Sequence, residues 1–289
     1  VLLSHNGFDV DQKLATMLNN VDVILTGHTH DAIPRAIKIK NTLLLSSGSH
    51  GKYLGRIDLK VKNGKVVDSS SNLIPIFSDI IQPDPEMTRL IDKIREPYEE
   101  ECNRVVGQAE TLLYRRGNFG GPWDSVICDA IIQKRDTQIS LSPGFRWGTT
   151  LLPGQKITID DIYSQTSMNY PEVYRTEMSG ETIKNLLEDV CDNIFNPDPF
   201  FQQGGDMVRV GGMSYTCHPK NKIGNRISDL SLLSSGDRIE AQKKYTIGGW
   251  GSINPDVKGP AIYNVLEDYI LDKRNISPKQ NNPVTIKGM

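Results

Sequence analysis

Val1-Leu2-Leu3-Ser4-His5-Asn6-Gly7 and Val21-Asp22-Val23-Ile24-Leu25-Thr26-Gly27-His28-Thr29-His30-Asp31 follow one pattern: a short apolar run that ends in a small polar residue and leads to histidine. Short runs rich in Val, Ile and Leu read as buried strands. Between them, Asp11–Asn20 carries Leu14, Met17 and Leu18 at helical spacing. The opening therefore reads strand, helix, strand, which implies a layered α/β domain with at least one parallel pair. In open sheets of this kind, functional groups gather beyond the carboxyl ends of the strands. His5 follows the first strand and His28 and His30 follow the second, so the two strands are expected to bring three imidazoles to one crevice.

Working outward, Thr42–Ser47 and Tyr53–Val61 read as strands, and Asn63-Gly64 as a tight hairpin turn into Lys65–Asp68. Asp79–Pro85, with two prolines, reads as a connector. A charged helix follows to about Val105, broken or kinked at Pro97. The remainder reads as a second α/β domain. Its Ile183, Leu186, Leu187, Val190, Cys191 and Ile194 keep helical spacing behind a capping Ser179, and Ile262, Val265, Leu266, Tyr269 and Ile270 do the same behind Pro260. The predicted division is 1–78, a layered α/β domain; 79–105, a linker helix; and 106–289, a second α/β domain. An apolar run at the first residue predicts a strand cut at its start, and hence a carboxy-terminal piece of a longer protein.

The 289 residues carry a formal net charge of -2 with no block of like charge, which argues against a nucleic-acid backbone or an anionic membrane as partner. No run approaches the roughly 18 apolar residues of a membrane span. Cys102, Cys128, Cys191 and Cys217 lack zinc-ribbon spacing; Cys128 and Cys191 fall on apolar helix faces, as packing thiols do.

Neutral imidazole is the commonest metal ligand and suits zinc, manganese and iron. The spacing of His28 and His30 lets both rings point to one side of an extended segment, and Gly27 leaves room for close backbone approach. The competing reading is a set of loop histidines bonded to backbone. Asp31 and Asp9 are candidate carboxylates, with Asp31 alternatively a turn residue and Asp9 or Asp11 a helix cap. His50, in Gly48–Lys52, is placed at the rim, and His218, before Pro219, at the surface.

Ser4-His5-Asn6-Gly7 and Gly27-His28-Thr29-His30 resemble the last two motifs of the metallophosphoesterase domain in the 5'-nucleotidase superfamily. The resemblance implies His5 and His28 on one ion and His30 on its neighbour. The family's earlier Asp-x-His, bridging Asp and Asn-His motifs are expected upstream, so this stretch alone is expected to be inert. Further strings resemble the SoxB branch of that superfamily: Arg115-Arg116-Gly117-Asn118-Phe119-Gly120-Gly121, Leu141–Gly148, and Asn196–Gly212 with Asp206 and Arg209. The resemblance implies the carboxy-terminal half of a metallophosphoesterase βαβ sandwich followed by a 5'-nucleotidase-type carboxy-terminal α/β domain.

The implied activity is periplasmic release of sulfate from a cysteine S-thiosulfonate on the SoxYZ carrier protein, with two divalent ions, manganese by family and zinc or iron by donor chemistry. A 5'-nucleotidase or nucleotide-sugar hydrolase is the alternative enzyme, and a carrier-docking module with a vestigial metal site the alternative of another class. Arg146 is the expected anion grip, because a guanidinium fork matches sulfonate or phosphate oxygens. Arg115, Arg116, Asn118, Asp206, Arg209 and Trp250 are expected to line the substrate, with at most one of the two adjacent arginines facing inward. Superfamily nucleotidases clamp the base between two aromatic rings. Met207 and Val208 stand where the first is expected and Trp250 at the second.

Overall fold

The computed structural model describes residues 1–145, 148–254, 256–278 and 283–288. The chain divides into two units, Val1–Ile94 with Asn196–Gly205, and Arg95–Phe195 with Asp206–Met289.

In the first unit the order is β1 (Leu2–Ser4), α1 (Phe8–Ala15), β2 (Val23–Thr26), β3 (Ile37–Ile39), β4 (Thr42–Ser46), β5 (Tyr53–Lys62), β6 (Lys65–Pro75) and α2 (Pro85–Arg95). The sheet runs β1-β2-β4-β3, with β1, β2 and β4 parallel and β3 antiparallel at the edge. Ser4 pairs with Thr26 and Thr26 with Ser46, so three strands end level and the histidine segments leave from one edge. Ala15, Ile24 and Leu44 form the core beneath, with Leu2, Phe8 and Val21 packed on it.

Two boundaries differ from expectation. Helix α1 starts at Phe8, so Asp11 lies within it rather than at its cap, and it stops before Met17, which is 62% exposed. Strand β6 runs on to Pro75, paired with Tyr53, because Ser69–Asn72 extend a solvent-facing ribbon that apolar alternation does not mark. The turn is as read: Asn63 and Gly64 both have positive φ, 51° and 71°, as a type I′ hairpin requires.

In the second unit the helix breaks into a 3₁₀ turn at Glu96–Tyr98, where Pro97 removes a backbone donor. Beyond it come α3 (Glu99–Cys102), β7 (Val105–Ala109), α4 (Pro122–Arg135), β8 (Ile139–Ser142), β9 (Lys156–Thr158), α5 (Ile159–Thr166), β10 (Tyr174–Ser179), α6 (Gly180–Phe195), β11 (Arg209–Gly211), β12 (Met213–Cys217), β13 (Ile227–Leu232), β14 (Lys244–Gly249), α7 (Ile262–Lys273), β15 (Asn275–Ile276) and β16 (Val284–Ile286). They build a β10-β14-β8-β11 sheet and two three-stranded sheets, β13-β12-β16 and β15-β7-β9. One core joins α4, α5 and α7 through Trp123, Ile127, Ile162 and Leu266; another joins α6 to the sheets through Ile183, Leu187, Ile139 and Ile247. Ser179 Oγ accepts from Thr182 N at 3.1 Å, the expected cap of α6. Among the described residues no helix is long and apolar enough to cross a membrane.

Candidate functional site

Beyond the level strand ends of the first unit, His5 and His28 meet edge to face with ring centroids 5.0 Å apart. His30 is paired with His50 instead, at 5.9 Å. The segment is not extended. His28 and His30 have φ of 75° and 59°, and Thr29 N donates to Gly27 O at 3.0 Å, so a turn rather than strand alternation aims the rings. Non-glycine residues in the left-handed region cost roughly 1–3 kcal/mol each and collect at functional sites. His50 is a third such residue, with φ 60°. A side chain at position 27 would crowd the ring of His5, since a Cβ there would stand 3.2 Å from His5 Nδ1.

A buried carboxylate holds these strand ends in place. Asp11 is 0% exposed and accepts from Ser4 Oγ at 2.7 Å, from Asn6 Nδ2 at 3.2 Å, and from Thr26 Oγ1. It thereby ties α1 to both strands just before the histidines. Asp31 takes the turn role: its side chain accepts from Thr29 Oγ1, and its carbonyl accepts from Gly48 N at 2.7 Å and Ser46 Oγ at 2.6 Å. Partial burial, with the charge of Asp31 added, raises the carboxyl of Asp9 above its ordinary value.

The same unit contains Asn196–Gly205. Its Gln203 carbonyl lies 2.9 Å from His28 Nε2, and Lys13 on α1 pairs with Asp198. Among the described residues no three His, Cys, Asp or Glu side chains form a cation site. The donors nevertheless suit a borderline divalent ion. Imidazole is a donor type such ions accept, and a complete site needs further donors.

In the second unit the predicted substrate residues separate into engaged and accessible groups. Arg115 and Arg209 are 3% and 1% exposed. Arg115 donates from Nε to Asp124 Oδ1 at 2.7 Å, from Nη1 to Gln165 O at 2.8 Å and from Nη2 to Pro143 O at 3.0 Å. Arg209 donates to Asp206 Oδ2 at 2.8 Å, and its Nε lies 3.4 Å from Asp124 Oδ2. Asp124 also accepts from Gly121 N at 2.9 Å, capping α4. Arg115, Asp206 and Arg209, read from the sequence as substrate contacts, are members of one buried ion network.

Trp250 is 3% exposed, donates from Nε1 to Ser142 Oγ at 2.8 Å, and packs in the core against Phe145. Met207 is 0% exposed and belongs to the other core. Arg116 and Asn118 remain at the surface, half-buried and exposed respectively, and Arg146 lies outside the described residues. Sequence reading missed Asp11, Asp124, Lys13 and Gln203. Only Asp124 left a local signal, three residues beyond Gly121 and just after Pro122 at a helix start.

Residues 105–251 match the family described as 5'-nucleotidase, C-terminal domain. A trifunctional nucleotide phosphoesterase protein, YfkN, of Bacillus subtilis is 27% identical over 260 residues, which cover 83% of this chain and 17% of that protein. The solved structure of the sulfate thiohydrolase SoxB of Thermus thermophilus in complex with glycerol superposes with a TM-score of 0.93 and 31% identity, over 99% of this chain and 54% of that one. A 5'-nucleotidase precursor from the same species, at 16% identity and TM-score 0.80, shares the fold over 99% of this chain and 63% of its own. This chain thus spans about half of the SoxB chain and a smaller part of the Bacillus protein. It belongs to the 5'-nucleotidase C-terminal domain family.

Proposed function

We propose that this chain is part of a two-metal hydrolase of the SoxB type, releasing sulfate from a cysteine S-thiosulfonate on the SoxYZ carrier in the periplasm. The observation that carries the reading is the likeness to the Thermus sulfate thiohydrolase, at 31% identity and TM-score 0.93 across 99% of the chain. His5 and His28 would hold one ion and His30 the other. Manganese is the family's metal; zinc and iron suit the same donors. Such a pair, when bound, supplies Lewis acidity toward sulfonate or phosphate oxygens and acidifies water.

The chain's own residues do the rest. Asp11 fixes the strand ends that carry His5 and His28. Arg116 and Asn118 are left accessible on the Arg115–Gly121 loop, whose base is locked by Arg115 and Asp124. Arg146, from the Leu141–Gly148 segment, completes the anion grip in this reading. With Met207 and Trp250 both in the core, neither expected ring position offers a free aromatic face for a nucleobase.

The second reading is a 5'-nucleotidase or nucleotide-sugar hydrolase, favoured by the nucleotide phosphoesterase among its relatives. Assaying the whole protein on a carrier-linked thiosulfonate and on AMP separates the two: sulfate release supports the first, phosphate release the second.

A further inference from the structure

Asn196–Gly205 has an internal structure of its own. Asn196 Oδ1 accepts from Asp198 N at 2.9 Å, Asp198 Oδ1 caps a 3₁₀ turn by accepting from Phe200 N at 2.9 Å, and Gln202 Nε2 donates to Asn196 O at 2.8 Å. Lys13 fastens this strap to α1. Lys13 Nζ pairs with Asp198 and stands 4.3 Å from the centre of the Phe200 ring. Its far end delivers the Gln203 carbonyl to within 2.9 Å of His28 Nε2. Gly204 follows with φ 73°, and a Cβ there would stand 2.4 Å from the same nitrogen, so only glycine lets the strap come this close.

A backbone carbonyl can only accept, so this contact requires the proton to be on Nε2. A neutral His28 then has its lone pair on Nδ1. Metal-binding histidines are oriented in this way, by donating their second N–H to a carbonyl or carboxylate. We infer that the Asn196–Gly205 strap is a positioning element for His28, fixing its ring and tautomer so that Nδ1 is the nitrogen offered to a divalent cation. Lys13 acts at a distance as the fastener. This rests on the reading of His28 as a metal ligand.

The test is titration of the whole protein with manganese(II) alone, comparing wild type with Gly204→Ala, Lys13→Met, Lys13→Arg and His28→Ala. Outer-shell partners of this kind change metal affinity by about 10–100-fold. Gly204→Ala and Lys13→Met are expected to weaken one manganese site by that factor, Lys13→Met with the thermal midpoint nearly unchanged. Lys13→Arg, which keeps the charge and the ring contact, should restore the affinity. In the metal-free protein, ¹⁵N spectra of the His28 ring should show Nε2 protonated in wild type and a tautomer mixture in Gly204→Ala. If both strap variants keep wild-type affinity while His28→Ala loses the site, the inference fails and the metal reading survives. If His28→Ala also binds like wild type, both fail.

Discussion

Ser4 Oγ donates to the fully buried Asp11 Oδ1 at 2.7 Å, and the same carboxylate accepts from Asn6 and Thr26. The residues that precede and follow His5, and the one that ends β2 ahead of His28, thus share a single acceptor. Asp11→Ala leaves donors without a partner in a closed site, at about 1–3 kcal/mol for an unsatisfied buried group. The expected loss is at the upper end of that range, with Asp11→Asn losing less. Denaturant unfolding measures it, and a variant as stable as wild type would remove Asp11 from this role.

His28→Ala and His30→Ala should each reduce metal content by a different ion, since the rings face different neighbours, His5 and His50. Elemental analysis of the whole protein reads this directly. Two ions retained per chain in both variants would refute the ligand assignment. His50→Ala belongs in the same series, because its ring stands 5.9 Å from that of His30.

Adjacent Arg115 and Arg116 should behave oppositely. Removing one partner of a buried ion pair costs about 3–5 kcal/mol, and Arg115 has all three of its nitrogens engaged. Arg115→Met is therefore expected to lower stability by that amount. Arg116→Met should change stability by no more than about 0.5 kcal/mol while lowering kcat/KM. Unfolding and turnover measured on both variants test the division, and a reversed pattern would contradict it.

The strap's fastening has a pH window. The hydrogen bond from Lys13, and next the one from Phe200 N, lower the pKa of Asp198 below its ordinary value. A carboxylate depressed in the folded state contributes stability above its unfolded pKa of about 3.9 and loses it as pH falls through the folded value. Once the pH dependence of intrinsic amide exchange is divided out, exchange across Asn196–Gly205 should be equally protected from neutral pH to about 4 and accelerate below it. Acceleration already at pH 6 would point to another fastening.

Thiol reactivity offers a check on packing. Cys128, Cys191 and Cys217 are buried, and burial pushes the Cys128 thiol up to about 12. Peptide mapping after native alkylation should find Cys102 labelled and these three protected, with all four labelled in denaturant.

Local pattern carried much of the fold. Apolar runs marked β1, β2 and β4, the Asn63-Gly64 pair marked the hairpin, and Ser179 with its spaced apolar residues marked α6. The three histidines were legible for the same reason, since position after a strand is a sequence property. What escaped was non-local. Lys13 and Asp198 are 185 positions apart, and no periodicity links them. Arg209 and Asp206 read as substrate contacts from the sequence, and nothing local shows that Arg209 pairs with Asp206 and, across to α4, with Asp124. The burial of Trp250 was not legible, because an aromatic in a glycine-rich segment suits either a pocket wall or a core, and the Ser142 hydroxyl that satisfies its indole lies 108 positions away.

The sulfur substrate separates the two readings of this chain. The whole protein, loaded with manganese, should be given a SoxYZ-linked cysteine S-thiosulfonate and AMP side by side, with sulfate and phosphate release followed under identical conditions. Sulfate release is expected, with AMP turned over much more slowly. Comparable turnover of both, or phosphate release alone, would contradict this expectation and assign the chain to the nucleotide hydrolases of its family.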